Sequence, residues 1–266
     1  MNTIAPTEFI DCNCMLGQWK KNVESCFYTA DDLISFINKA SISKCLVFGS
    51  LAKYSEIQTG NNILINAIKD NERLIPCAIA MPHHSGEFPH PKEFYRYLAN
   101  NNIRAVRIFP TFHGVSLYTW LWNDLFTILE SAKIPLFIDF SLKHWSEEIN
   151  WEQIKNICEN FPLLPIILIR MSLKADRYIY YLMQNMKNLY IETSYYLVNN
   201  GIEKLVKSFG AEKLIFGTGI PVYNPNPSIT MLNFSDINEN ERQMIAGGNL
   251  MKLLEEVKFD AKQDTN

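Results

Sequence analysis

The chain has 266 residues, 47% hydrophobic and 20% charged, enough to bury one sizeable core. Its 25 Lys+Arg against 28 Asp+Glu give a net charge of −3 without a basic stripe, which argues against nucleic acid as a partner. No apolar run reaches the ~18–20 residues of a membrane span. The first residues carry no basic segment followed by an apolar stretch, and the six cysteines lack framework spacing. The expectation is a cytoplasmic globular protein with reduced thiols and no membrane partner.

Along the chain, strand-like runs rich in Ile, Val, Leu and Phe occupy 7–11, 44–48, 74–80, 104–109, 135–140, 166–169, 189–193 and 213–216. Stretches with helical spacing lie between them. One covers 31–40, where Thr29 is placed to cap and Asp31 and Asp32 suit the positive helix end. Others cover 117–132 and 151–160. Near-continuous apolar runs fit strands covered on both faces. Eight β-then-α units in this length predict an α/β fold of the (β/α)8 TIM-barrel type, one domain over 1–258 with 259–266 as a tail. A doubly wound open sheet is the alternative.

The connections are unequal. Those entering strands are short (41–43, 100–102, 132–134), whereas those leaving strands are longer (16–28, 50–59, 82–91, 110–116, 141–150, 218–237). In a barrel the second set builds the C-terminal face, where sites lie. All five histidines, His83, His84, His90, His113 and His144, fall in those loops. Polar residues also simply collect in the longest loops, so their placement alone does not define a site.

At the strand ends the sequence resembles the amidohydrolase-related branch of the metal-dependent hydrolase superfamily, a TIM-barrel group of hydrolases and decarboxylases. FIDCNCMLG resembles the family's first strand, usually Asp-x-His-x-His-x-Gly. NERLIPCAIAMP, NNIRAVRIFP, IPLFID, FPLLPIILIR, NLYIETS and AEKLIFGTGIP resemble its third to eighth strands, and INENERQMIAGGNLMKLL its closing helix. The resemblance implies a divalent metal, normally zinc, held by two strand-1 histidines, a strand-5 histidine and a strand-8 aspartate, with a strand-6 histidine beside them. The corresponding residues here are Asn13 and Met15, Asp139, Gly219 and Arg170. Only Asp139 keeps ligand chemistry; methionine is a poor zinc ligand, glycine offers no base, and a fixed guanidinium repels a dication. No cofactor is therefore expected.

If the family register holds, Asn13, Met15, Arg107, Phe109, Asp139, Arg170, Glu192 and Ser194 face the barrel interior. Two ion pairs, Asp139–Arg170 and Arg107–Glu192, would then fill the space of the metal. Alternatively Arg107 or Arg170 clamps a small carboxylate or phosphate ligand, with Asn13, His113 and His144 lining the mouth and Asp139 or Glu192 as acid or base. Cys12 and Cys14 read as outward, packed thiols, and a replacement metal site of His83, His113 and His144 is a minor alternative. Tyr178–Tyr181 and 194–197 suit core and interface packing, with a homodimer contact as the second choice. The functional expectation is a degenerate family member that binds a small anionic molecule or is a pseudoenzyme. A metal-independent or rebuilt-site hydrolase or decarboxylase is one alternative, and a structural or oligomeric partner subunit another.

Overall fold

The computed structural model describes residues 7–18, 26–141 and 148–259. Strands and helices alternate through it. β1 (Phe9–Leu16), α1 (Ala30–Lys39), β2 (Ile42–Gly49), α2 (Ser50–Tyr54) and α3 (Ile57–Ile68) lead to β3 (Leu74–Pro76) and β4 (Ala78–Ile79). There follow α4 (Pro91–Asn100), β5 (Val106–Ile108), α5 (Pro110–His113), α6 (Thr119–Ser131), β6 (Leu136–Ile138), α7 (Trp151–Asn160), β7 (Ile166–Leu168) and α8 (Asp176–Asn185). The chain ends with β8 (Leu189–Glu192), α9 (Gly201–Phe209), β9 (Leu214–Ile215), α10 (Asn226–Asn233), α11 (Glu239–Gln243) and α12 (Asn249–Glu255).

Every strand pairing is parallel, β1-β2-β3 in one run and β4-β5-β6-β7-β8-β9 in the other. The two runs adjoin at Cys77, whose amide donates to Val47 O (2.8 Å), and the next amide, Ala78, donates to Ala105 O (3.1 Å). At the other seam, β1 reaches the β9 segment through Cys12 N to Phe216 O (3.1 Å) and Met15 N to Ile220 O (3.0 Å). The architecture is a TIM barrel. β3 and β4 are one expected strand interrupted at a single residue.

β6 and β7 are apolar at every residue because helices cover one face and the barrel core the other. Leu136, Phe137 and Ile138 are fully buried, as are Ile166, Ile167 and Leu168. Each such side chain contributes about 1.5–3 kcal/mol of apolar transfer energy. α1 begins where the sequence predicts: Thr29 Oγ1 accepts from Asp32 N (3.2 Å) and Asp32 Oδ2 accepts from Thr29 N (2.9 Å), a reciprocal capping box. The expected loop 50–59 is instead largely helical, in α2 and the start of α3.

β1 departs from simple alternation. Asp11 pairs with Cys45 but Cys14 pairs with Val47, so three steps on β1 face two on β2, and the extra residue is a bulge. The outward assignment of Cys12 and Cys14 rested on unbroken alternation and does not carry across this bulge. Both thiols are buried and free, and Cys12 lies in the field of Glu192, Asp11 and Arg107.

Candidate functional site

The site grows from the C-terminal ends of the strands. β5 carries Arg107; the residue after β6 is Asp139; Arg170 follows β7; β8 ends in Glu192; β1 supplies Asn13. Two turns set the geometry. Ser141 and Arg170 have φ of 49° and 57°, a left-handed conformation that is costly for residues with a Cβ. Carboxylates hold both: Ser141 N donates to Asp139 Oδ1 (2.8 Å) and Arg170 N donates to Glu192 Oε2 (3.0 Å).

Asp139 is the hub. Arg107 Nη2 donates to its Oδ2 (2.6 Å) and also to Asn13 Oδ1 (2.8 Å). Arg170 Nη2 donates to its Oδ1 (2.7 Å) and to Ser141 Oγ (2.8 Å). Ser141 Oγ in turn donates to Asp139 Oδ1 (2.9 Å) and accepts from Lys53 Nζ (3.2 Å). The Asp139–Arg170 pair is as expected. The Arg107–Glu192 pair is not: both guanidinium groups converge on Asp139, and Glu192 accepts from Ser194 N (2.6 Å), Ser194 Oγ (2.9 Å) and the Arg170 amide instead. A neighbouring glycine makes room for this carboxylate, since a Cβ on Gly217 would stand 2.2 Å from Glu192 Oε1.

Charge divides the two carboxyl groups. Burial alone would raise the Asp139 carboxyl, but Arg170, Arg107 and Lys53 outweigh it and hold it well below the usual carboxylate range. Burial pushes Glu192 up to about 7, against the hydrogen bonds from Ser194 and Arg170. Burial likewise brings the Lys53 amine down to about 7; Asp139 opposes this, and Arg170 and Arg107 add to it. Lys53 Nζ sits 4.4 Å from the centroid of Phe109, and the Arg107 guanidinium 4.2 Å from that of Phe48, so aromatic faces partly replace lost water.

A cavity of about 20 Å³, room for about one water, opens among Asn13, Lys53, Asp139, Arg170, Gly219 and Tyr223. Arg170 also borders a second cleft of about 70 Å³ with Trp151, Lys174 and Tyr178. Glu192 lines neither. Asn13 Nδ2 and Arg107 Nε are buried and have no hydrogen-bond partner among the described residues. Such donors are costly to bury unsatisfied.

The divalent metal implied by the resemblance does not fit these residues. Both Asp139 oxygens are already engaged by guanidinium groups. Gly219 has φ 77°, and a Cβ there would come within 2.8 Å of Tyr223, so no side chain replaces the strand-8 carboxylate. Arg170 places fixed positive charge where a dication would stand.

Of the remaining expected residues, His113 is half-buried; its Nε2 lies 3.0 Å from Lys53 O and its ring packs on Phe109 and Phe112, so it supports Lys53 and does not line the cavity. His144 lies outside the described residues. The proposed trio of His83, His113 and His144 is not assembled among the described residues: His83 instead meets His84 and His90. Sequence reasoning missed Lys53 and Ser141. The available signal for Lys53 was its position as the sole cation of residues 50–59, flanked by Leu51, Ala52 and Tyr54.

The sequence profile of the amidohydrolase family matches residues 55–255. No curated protein matches the chain in sequence. Among solved structures, 5-carboxyvanillate decarboxylase from Novosphingobium aromaticivorans, solved with bound manganese and 3-methoxy-4-hydroxy-5-nitrobenzoic acid, superposes with a TM-score of 0.75 at 12% identity, covering 94% of this chain and 97% of that one. 2,6-Dihydroxybenzoate decarboxylase from Rhizobium gives 0.72 at 12% identity, over 94% and 99%. An uncharacterised TIM-barrel protein from Bordetella bronchiseptica gives 0.69 at 18%, over 86% and 83%. At these identities the structures establish the shared fold, and the profile establishes descent: the chain belongs to the amidohydrolase family.

Proposed function

We propose that this chain is a family member without the usual metal site that binds a small carboxylate- or phosphate-bearing molecule at the barrel mouth. The observation that carries this is the imbalance around Asp139: one ionised carboxylate faces Arg107, Arg170 and Lys53. Two unsatisfied buried donors, Asn13 Nδ2 and Arg107 Nε, lie in the same cluster. A second anion at the cavity would neutralise the excess charge, with Arg170 as its bidentate partner and Lys53 as a point charge. The 20 Å³ cavity admits only the anionic head, so the body of the ligand extends outward.

Binding is favoured over catalysis by the state of the two carboxyl groups. Asp139 is locked as an anion by two guanidinium groups and is a weak base there. Burial lifts Glu192 to about 7, but it lines neither of the two cavities at Arg170, so it positions the Arg170 turn and does not meet a ligand there. Isothermal titration of the full chain with 2,6-dihydroxybenzoate and inorganic phosphate, and with neutral resorcinol as control, tests this. At least one anion binds, resorcinol does not, and R170M weakens the anion at least tenfold. Equal binding of resorcinol, or anion affinity unchanged in R170M, overturns it. Release of resorcinol from dihydroxybenzoate would instead support a metal-independent decarboxylase.

A further inference from the structure

Away from the mouth, residues 82–91 read PHHSGEFPHP and link β4 to α4, which opens at Pro91. Three prolines restrict its backbone. Gly86 N closes a turn on His83 O (2.9 Å), and Phe88 is buried against Phe94 with ring centroids 4.8 Å apart. The loop is therefore anchored at its centre. It brings the His83 ring to 4.9 Å from that of His90 and to 4.1 Å from that of His84. Asp124 approaches from α6, a separate and regular helix.

One ligand atom from each of His83, His90 and Asp124 lies within 4.8 Å of the other two. From these positions we infer that His83, His90 and Asp124 form a surface site for Zn²⁺ or a similar divalent transition ion. Two imidazoles and one carboxylate are borderline donors that suit zinc, cobalt or nickel and not the oxygen-seeking calcium or magnesium. Zn–N and Zn–O bonds of about 2.0–2.1 Å place tetrahedral ligands about 3.4 Å apart, so the three side chains close by little more than an ångström. Three protein ligands leave the fourth position to water.

The anchored loop and the helix present these ligands without ordering a flexible segment, which lowers the entropic cost of assembling the site. Two competing hydrogen bonds are both long: His90 Nδ1 accepts from Lys92 N at 3.3 Å as the cap of α4, and Asp124 Oδ1 accepts from Asn123 Nδ2 at 3.4 Å. A bound ion ties the β4–α4 loop to α6, a link that does not involve the Asp139 cluster.

The test is equilibrium dialysis of the chelator-treated full chain against Zn²⁺, with elemental analysis, repeated with Co²⁺ and read by visible absorption. The wild type takes up close to one equivalent, and Co²⁺ gives the intense visible bands of a four-coordinate ion. H83A and H90A each weaken binding at least tenfold, and so does D124N, while H84A and the C14S/C45S pair retain it. His84, His90 and Asp124 are exposed and His83 is half-buried; because His90 also caps α4, circular dichroism of each variant, H90A above all, separates loss of the ion from loss of the fold. No uptake by the wild type overturns the site. So does retention of the ion in H83A and H90A, which would place it elsewhere, for instance at the buried Asp11–Cys14–Cys45 cluster. An equal loss in H84A overturns this choice of ligands.

Discussion

Replacing Asp139 with asparagine is the sharpest probe of the barrel mouth. The substitution keeps the size and one acceptor oxygen but removes the charge that, among the described residues, pairs with both Arg107 and Arg170, at 2.6 and 2.7 Å. Arg107 is 1% exposed, so water cannot take over as its partner. Stranding a buried charge in this way costs about 3–5 kcal/mol. Arg170 is 19% exposed and keeps access to solvent, so its share falls towards the ~1 kcal/mol of a surface pair. The sum, about 4–6 kcal/mol, is a large part of the ~5–15 kcal/mol by which domains are stable. Urea unfolding of D139N against the wild type at pH 7 should show that loss, and thermal melting a fall in Tm of about 8–24 °C. A D139N/R107M double variant should recover part of it, because the stranded charge goes too. A D139N loss under 1 kcal/mol would refute the premise that Asp139 neutralises both guanidinium groups.

The remaining expectations concern pH and ancestry. Because burial lifts Glu192 from 4.5 to about 7, the folded chain holds a proton that the unfolded chain has released. Its contribution is thus complete below pH 4.5 and is lost as pH rises through 7, by about 3 kcal/mol for a shift of this size. The wild-type stability should fall relative to E192Q between pH 5 and pH 8; parallel curves would show that Glu192 is not buried as a titrating acid. Restoring the family's strand-8 aspartate with G219D should not create a metal site, since φ 77° and Tyr223 oppose the side chain and guanidinium groups still hold Asp139. Elemental analysis finding new mouth-bound zinc in G219D, absent from the wild type and insensitive to H90A, would show that the ancestral site is closer to function than the geometry suggests.

Much of the fold was legible in the residues. All eight expected strand runs contain or overlap strands of the barrel, and 151–160 is the helix α7 to the residue, because apolar runs and capping residues act locally. β1 was the poorest match, expected over 7–11 and found over Phe9–Leu16. Its second half, with Cys12, Asn13 and Cys14, lacks the β-branched run that marks a strand, and pairing with β2 overrides that weak propensity. The loss of ligand chemistry at Asn13, Met15, Arg170 and Gly219 was equally readable, since side-chain identity needs no coordinates.

What the sequence by itself determined is therefore the barrel strands, their order, and the strand-borne groups Asn13, Arg107, Asp139, Arg170 and Glu192. Only the tertiary structure decided which charges meet. Arg107 reaches Asp139 and not Glu192, because β6 is the strand hydrogen-bonded next to β5, whereas β8 stands further round the barrel. Lys53 joins the cluster because α2 folds over the mouth and buries its amine beside Ser141, 88 positions away in sequence. His90 and Asp124 approach each other across the α4–β5–α6 stretch for the same reason. Local propensity fixes where a chain turns; contacts between distant residues depend on the closure of the whole barrel, and no stretch of sequence contains that angle.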